Sequence, residues 1–435
     1  MAADTIFAPA TARGRSAVAV VRISGPRTEA ALNALGARDL TARRASVRIL
    51  HDPRSGEALD EALALRFEVG ASFTGESSAE LHLHGGAAVM AAVLDALSAM
   101  PGLRLAEPGD FARRAVEAGR FGLVEAEAIA DLVDAETEAQ RRLALRAKRG
   151  ELGSAAERWR QDLVRARALV EAVLDFADEE VPEDVTPEVA SLLAGVAASI
   201  AKTLEGAGAA ERLREGFEVA VLGAPNSGKS SLLNALAKRD VAITSAVAGT
   251  TRDVIEVRMD LRGLPVTMLD TAGIRETSDP VEAEGVARAW SRGETADLRL
   301  WLMAPGGEPP PDDLMGPQDL VLASKADLGS ALEGALGVSA ISGVGIEALI
   351  DRVAALLERR AAGASAAMRV RHRLALETAA ARIAVAEGWL RTGDDGLDLA
   401  AEELRAATGA LSALLGRVDP EDVLDDVFAS FCLGK

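Results

Sequence analysis

Residues Gly223–Ser230 read GAPNSGKS, a G-x-x-x-x-G-K-S spacing whose residue types suit phosphate chemistry. The apolar run Phe217–Leu222 precedes it and the amphipathic Ser231–Ala237 follows, so the sequence predicts strand, glycine-rich loop, helix. Gly223 and Gly228 let the backbone wrap closely, so that its N–H groups and the helix N-terminus face an anion. Lys229 brings a mobile positive charge to the outer phosphates, and Ser230 offers a hydroxyl to a magnesium ion. Asn226, Ser227 and Ser231 complete the loop's nucleotide-facing set.

Three further motifs follow in order. Val266–Asp270 reads as a buried strand ending in an acid, followed by Thr271, Ala272 and Gly273. That string places Asp270 near the magnesium and a glycine N–H near the terminal phosphate. Leu320–Ala323 reads as another strand, followed by Ser324, Lys325, Ala326 and Asp327. This resembles the guanine-reading NKxD motif of GTPases, in which the aspartate accepts hydrogen bonds from N1 and N2 of guanine. Val338, Ser339 and Ala340 fit the short loop that closes over the base. The order of these motifs points to GTP rather than ATP as substrate. Ser324 departs from the pattern, because the usual asparagine braces the loop and contacts the base.

These motifs need a multidomain frame, and 435 residues provide one. A single cysteine, Cys432, rules out an intramolecular disulfide and fits a reducing compartment. The N-terminus has no basic region followed by an apolar stretch, and no uncharged apolar run is long enough to span a bilayer. The expectation is a cytoplasmic protein without a membrane or DNA partner. A net charge of −19 argues against general affinity for nucleic acid. The basic cluster Arg141–Arg149 reads as a solvated helix face before it reads as an RNA site.

Three kinds of region emerge. Residues 1–118 look mixed α/β, with strands at Ala17–Ile23, Val47–Leu50, Ala62–Phe67 and Ala79–His84 and a helix over Ala87–Met100. Residues 119–214 are helical, with an acidic, proline-bearing break at Glu179–Pro187. A nucleotide domain spans 215–362, and helix returns over 363–435. The expected architecture is multidomain, α/β plus all-α. A Ras-like phosphate-loop GTPase domain is inserted into a helical domain, behind an α/β N-terminal domain.

The chain resembles the bacterial MnmE (TrmE) family of tRNA-modification GTPases over essentially its whole length. The resemblance rests on DTIFAPAT near the start, RISGP (Arg22–Pro26), FTGE (Phe73–Glu76), HGG (His84–Gly86), PGDFARRA (Pro108–Ala115) and EAEAIADL (Glu125–Leu132). It rests further on the phosphate loop, AGTTRD (Ala248–Asp253), DTAGIRET and the terminal FCLGK (Phe431–Lys435). It implies a homodimer joined through a folate-binding-like N-terminal domain that holds a 5-formyl- or 5,10-methylene-tetrahydrofolate. It also implies a flavin- and NADH-using partner, MnmG (GidA), in a heterotetramer. Together they would attach an aminomethyl or carboxymethylaminomethyl group at C5 of the wobble uridine of certain tRNAs. Motif matching puts the folate contacts on Arg22, Glu80, Arg120 and Lys435, with Arg120 standing where the family commonly has lysine.

Ras-like enzymes orient the attacking water with a glutamine after the DTAG glycine and neutralise charge with an arginine finger. Here Ile274 follows Gly273, and an aliphatic side chain does neither. The downstream acids are Glu276, Asp279, Glu282 and Glu284, from which the resemblance selects Glu282, acting through a bridging water. It also implies a potassium ion in place of the finger, held by the Asn226 amide, the Thr250 hydroxyl and the carbonyls of Ser245 and Val247, with Thr251 joining Ser230 on magnesium.

His82 and His84 alternate on a strand, where a polar strand face is the simpler reading than a metal site. Cys432 as a nucleophile is a minority reading. Two other classes of function stay open on residues alone. One is a ribosome-assembly or RNA-remodelling GTPase without folate chemistry; the other is a folate-dependent transferase with a regulatory GTPase.

Overall fold

The computed structural model describes residues 4–175, 185–239, 256–270, 293, 295–307, 310, 315–316, 319–329, 334–417, 427–428, 431 and 434. The chain divides into two compact units, one of 1–130, 153–157 and 411–435, the other of 131–152 and 158–410.

The first unit is built on β1 (Thr5–Pro9), β2 (Ser16–Ser24), β3 (Ser46–His51), β4 (Ala58–Phe67), β5 (Ser78–Gly85) and β6 (Leu103–Leu105), in the order β3-β4-β5-β2-β1-β6. Strands β2, β4 and β5 alternate, so Val21, Ile23, Ala64, Leu81 and Leu83 enter the core while Arg22 and Glu80 lie on the opposite face. Helices α1 (Thr28–Ala34) and α2 (Ala87–Ser98) supply Leu32, Val93 and Leu97 to the same core. Strand β1 went unread in the sequence because Thr5, Ile6, Phe7 and Ala8 are all buried and show no alternation. Helices α3 (Asp110–Glu117) and α4 (Leu123–Asp134) form a smaller core with Phe428 and Phe431 near the C-terminus. Gly109 enters α3 at φ 78°, where a Cβ would lie 2.6 Å from that of Phe428.

The second unit holds helices α5 (Glu138–Lys148), most of α6 (Glu151–Asp175), α7 (Thr186–Glu205) and α8 (Ala207–Glu215). The nucleotide-binding sheet follows: β7 (Phe217–Leu222), β8 (Glu256–Leu261), β9 (Leu264–Asp270), β10 (Leu298–Met303), β11 (Leu320–Ser324) and β12 (Leu336–Val338). Its order is β12-β11-β10-β7-β9-β8, parallel except for the β8–β9 hairpin. Helices α9 (Lys229–Ala237), α10 (Ile346–Ala361), α11 (Val370–Leu390) and α12 (Leu397–Leu414) complete the described elements. The break expected at Glu179–Pro187 falls largely outside the described residues; Thr186 and Pro187 open α7.

The stretch Thr186–Glu215 is long and apolar enough, by composition, to cross a membrane. One stripe of it packs inward. Val189, Leu193, Val196 and Ile200 are buried, and the Trp159 indole donates to Ser199 Oγ at 3.0 Å.

Both connections to the nucleotide-binding stretch converge on one carboxylate. Before β7, Arg214 Nε donates to Asp131 Oδ1 at 2.9 Å. After α10, Arg369 donates to Asp131 through Nη2 at 2.7 Å and Nε at 3.3 Å. Gln140 Nε2 holds the Arg214 carbonyl at 3.0 Å, and Arg146 Nη1 holds that of Ala364 at 2.9 Å. Arg146 also pairs with Glu151, and Arg141 and Arg142 with Glu138, so much of the basic cluster is neutralised locally. Asp131→Ala leaves two partly buried guanidinium groups facing each other. The expected loss, discounted for their partial exposure, is about 2 kcal/mol, read as a lower midpoint in thermal unfolding.

Candidate functional site

Strand β7 is flanked by β9 on one side and β10 on the other, so the chain departs in both directions from it. The crevice beyond the carboxyl ends of such strands is where ligands bind in open α/β sheets, and the phosphate loop lies there. Gly223 has φ +145°, and a Cβ on it would run into the Leu302 carbonyl of β10. Gly228 caps α9 at φ 100°. Asn226 also takes a left-handed conformation, φ 62°, which asparagine tolerates better than most residues. These geometries aim the amides at the start of α9 toward one point.

The Lys229 ammonium donates to the carbonyls of Gly223 at 2.8 Å and Ala224 at 3.0 Å. Burial pushes its pKa below the usual lysine value, and the Asp270 carboxylate offsets part of that. Ser230 Oγ donates to Asp270 Oδ2 at 2.9 Å, which joins the first and second motifs of the sequence. A hydroxyl and a carboxylate so placed form a hard oxygen donor set that suits magnesium.

At the far side of β10, β11 ends at Ser324 and Lys325 turns left-handed at φ 55°. Asp327 sits exposed on the single helical turn that follows. Ser339 braces the base loop: its N–H donates to Val344 O at 2.9 Å and its Oγ accepts from Ser342 N–H at 3.2 Å. Ala340 follows it, half-buried, and Ser231 is exposed on α9. Ser245, Val247, Thr250, Thr251, Thr271, Ala272, Gly273, Glu282, Cys432 and Lys435 lie outside the described residues.

A second polar constellation occupies the first unit. Arg22 and Glu80 are cross-strand partners on β2 and β5. Arg22 donates to Glu80 Oε1 through Nε at 3.2 Å and Nη2 at 3.0 Å. Its third donor, Nη1, reaches the Gly434 carbonyl at 3.2 Å, next to the chain's last residue. The guanidinium lies 5.3 Å from the centre of the Phe73 ring and 5.8 Å from that of Phe111. Phe73 in turn packs on Phe121, and Arg120 donates to Gly70 O at 2.8 Å beside the same turn. Four sequence motifs thus meet at one guanidinium. Arg22 and Glu80 are brought together; no hydrogen bond joins them to Arg120.

Sequence reasoning missed what lies beneath. Ser24, on the same strand face as Arg22, donates to Glu76 Oε2 at 2.7 Å. Arg114, almost fully buried, donates to Glu76 Oε2 at 3.1 Å and to Asp4 Oδ1 at 2.7 Å. Burial raises the Asp4 pKa, but the Arg104 hydrogen bond and the Arg114 charge outweigh it and hold the carboxyl below its usual range. The motifs FTGE and PGDFARRA contained Glu76 and Arg114, but nothing in their spacing showed that they pair. His84 Nδ1 lies 2.7 Å from Asp60 Oδ1 and His82 Nε2 lies 3.5 Å from Glu80 Oε2, so both histidines have carboxylate neighbours on the strand face.

Two family models match the chain: "GTP-binding protein TrmE N-terminus" over residues 5–120 and "MnmE helical domain" over residues 123–432. A tRNA modification GTPase MnmE of Cereibacter sphaeroides is 53% identical over 99% of this chain and 100% of its own length. Proteins of the same name from Dinoroseobacter shibae and Parvibaculum lavamentivorans are 52% and 49% identical, each over 99% of this chain and 100% of theirs. Among solved structures, Era of Aquifex aeolicus is 29% identical over 32% of this chain and 56% of its own, with a TM-score of 0.26.

Gly434 has φ +88°, and a Cβ there would collide with the Pro9 carbonyl. Gly434→Ala therefore lifts the C-terminal segment away from Arg22, at a cost of about 1–3 kcal/mol to its docking. Limited proteolysis should release C-terminal residues several-fold faster, while GTP hydrolysis stays within about twofold of wild type.

Proposed function

The chain belongs to the tRNA modification GTPase MnmE family, and from that premise we propose a potassium-assisted, magnesium-dependent GTP hydrolysis coupled to folate-dependent tRNA modification. That it is a GTPase of tRNA modification follows from the likeness itself, 53% identity along the whole length of a curated member. This observation carries the proposal; site geometry supports its details.

In the nucleotide site, Lys229 exchanges its two loop carbonyls for phosphate oxygens when GTP enters. Ser230, Asp270 and Thr251 would hold magnesium, which would neutralise phosphate charge. Asn226, Thr250, Ser245 and Val247 would hold potassium, which would supply the positive charge that other GTPases take from an arginine. Asn226 is exposed on the loop, in reach of an ion there. Glu282 orients the attacking water through a second water, since Ile274 offers no polar group. Lys325, Asp327, Ser339 and Ala340 bind the guanine.

In the N-terminal unit, Arg22, Glu80, Arg120 and Lys435 hold a tetrahydrofolate derivative, which supplies the one-carbon unit when bound. Arg22 presents a guanidinium already oriented by Glu80, between aromatic rings, a setting that fits a flat heterocycle with a carboxylate tail. The working assembly is a homodimer with MnmG, acting on tRNA in the cytoplasm.

Replacing potassium by sodium should lower the GTP turnover number about tenfold or more, and Asn226→Ala should abolish the difference between the two ions. Equal rates in both salts would refute the potassium assignment. Arg22→Ala should weaken binding of 5-formyltetrahydrofolate on the order of tenfold by calorimetry and leave GTP hydrolysis unchanged. A ribosome-assembly GTPase would bind no folate in either form.

A further inference from the structure

Two serine hydroxyls in the nucleotide-binding sheet are buried without a hydrogen-bond partner among the described residues: Ser227 Oγ and Ser324 Oγ. Ser227 is fully buried in the phosphate loop, and Ser324 is 5% exposed at the end of β11. They belong to neighbouring parts of one surface. The Ser227 hydroxyl lies 3.0 Å from where a Cβ of Gly223 would stand, over Leu302 of β10. Leu302 is the register partner of Leu322, two residues before Ser324. Between the phosphate loop and the guanine-reading turn, the sheet thus buries one unpaired hydroxyl on each side.

A buried hydroxyl left unpaired costs about 1–3 kcal/mol, so each of the two calls for a partner. At Ser324 the family pattern has asparagine, whose amide offers two donors and an acceptor on a longer arm. Serine is too short to reach both the phosphate loop and the base. The second hydroxyl, on Ser227, belongs to the loop that such an amide would reach, and a water bonded to both hydroxyls would supply the missing length. The adjoining base loop needs no such help, because Ser339 is satisfied by Val344 and Ser342.

We propose that Ser227 and Ser324 act together as positioning residues: through one buried water they tie the phosphate loop to the guanine-reading turn, replacing a single asparagine. Asp327 and Lys325 are then aimed at guanine by a two-hydroxyl brace. The water-mediated tie holds guanine nucleotide less firmly than a direct amide would, and release of GDP is correspondingly faster.

The test is a double-mutant cycle on the full chain, read by dissociation of a fluorescent GDP analogue and by thermal midpoint without nucleotide. Ser227→Ala and Ser324→Ala should each speed dissociation about five- to tenfold, and the double variant should be no faster than the faster single one. Ser227→Ala with Ser324→Asn, which makes room for the longer amide, should bring dissociation to the wild-type rate or below. Additive effects of the two alanines, or unchanged dissociation in both, would overturn the brace. So would a higher thermal midpoint in Ser227→Ala with unaltered dissociation, since removing a hydroxyl that pairs with nothing relieves strain instead of breaking a contact.

Discussion

One carboxylate, Asp131, receives the arginines that bound the nucleotide-binding stretch at both ends. An insertion of this length is tolerated only if its two connections lie close together, and a shared counter-ion enforces that. Both pairings are remote in the chain: Arg214 lies 83 residues along it and Arg369 lies 238. Between those two arginines the chain runs through the whole nucleotide-binding sheet. The N-terminus of α5 adds a second attachment, because Ala139 N–H donates to the Gly263 carbonyl at the β8–β9 turn. Strand β9 leads straight from that turn to Asp270. Strand β9 thus connects Asp270 to a helix that also holds the Arg214 carbonyl through Gln140.

The two candidate sites use opposite strategies toward charge. In the nucleotide site Lys229 is desolvated, donates to two loop carbonyls and has the Asp270 carboxylate offsetting part of the cost of burial. In the N-terminal unit Arg22 is already paired with Glu80, which fixes its plane and leaves less net charge for a ligand. The Phe73 and Phe111 rings lie 5.3 and 5.8 Å from the same guanidinium. Beneath it, the almost fully buried Arg114 of α3 ties Glu76 of the FTGE turn to the partly exposed Asp4 carboxylate. Breaking one member of such a chain strands a charge in the interior, so it gives rigidity more than net stability.

Much of this was legible in the sequence, and the reason lies in which constraints are local. The phosphate loop is encoded by glycines needed at particular backbone angles, and Gly223 and Gly228 take them. The alternating strands β2, β4 and β5 were readable because one face is apolar. Arg22 and Glu80 were readable through motif likeness, and cross-strand register explains why they meet. What escaped reading has partners far away in the chain. Strand β1 is buried on both faces and carries no period. Asp131 sits in EAEAIADL as one acid among several, and its arginines announce themselves nowhere nearby. Gly434 lies 412 residues from Arg22, and only the folded chain places its carbonyl at that guanidinium.

The departure at Ser324 shows how a local motif and a remote partner combine. Taken alone, serine in place of asparagine reads as a weakened guanine contact. In the folded sheet, a second serine lies in the loop that the missing amide would brace. Hydrogen-bonding capacity lost on β11 is thus partly restored from the phosphate loop, where a side chain at position 227 points into protein rather than toward solvent. Substitution at one end of such a contact shifts the requirement at the other.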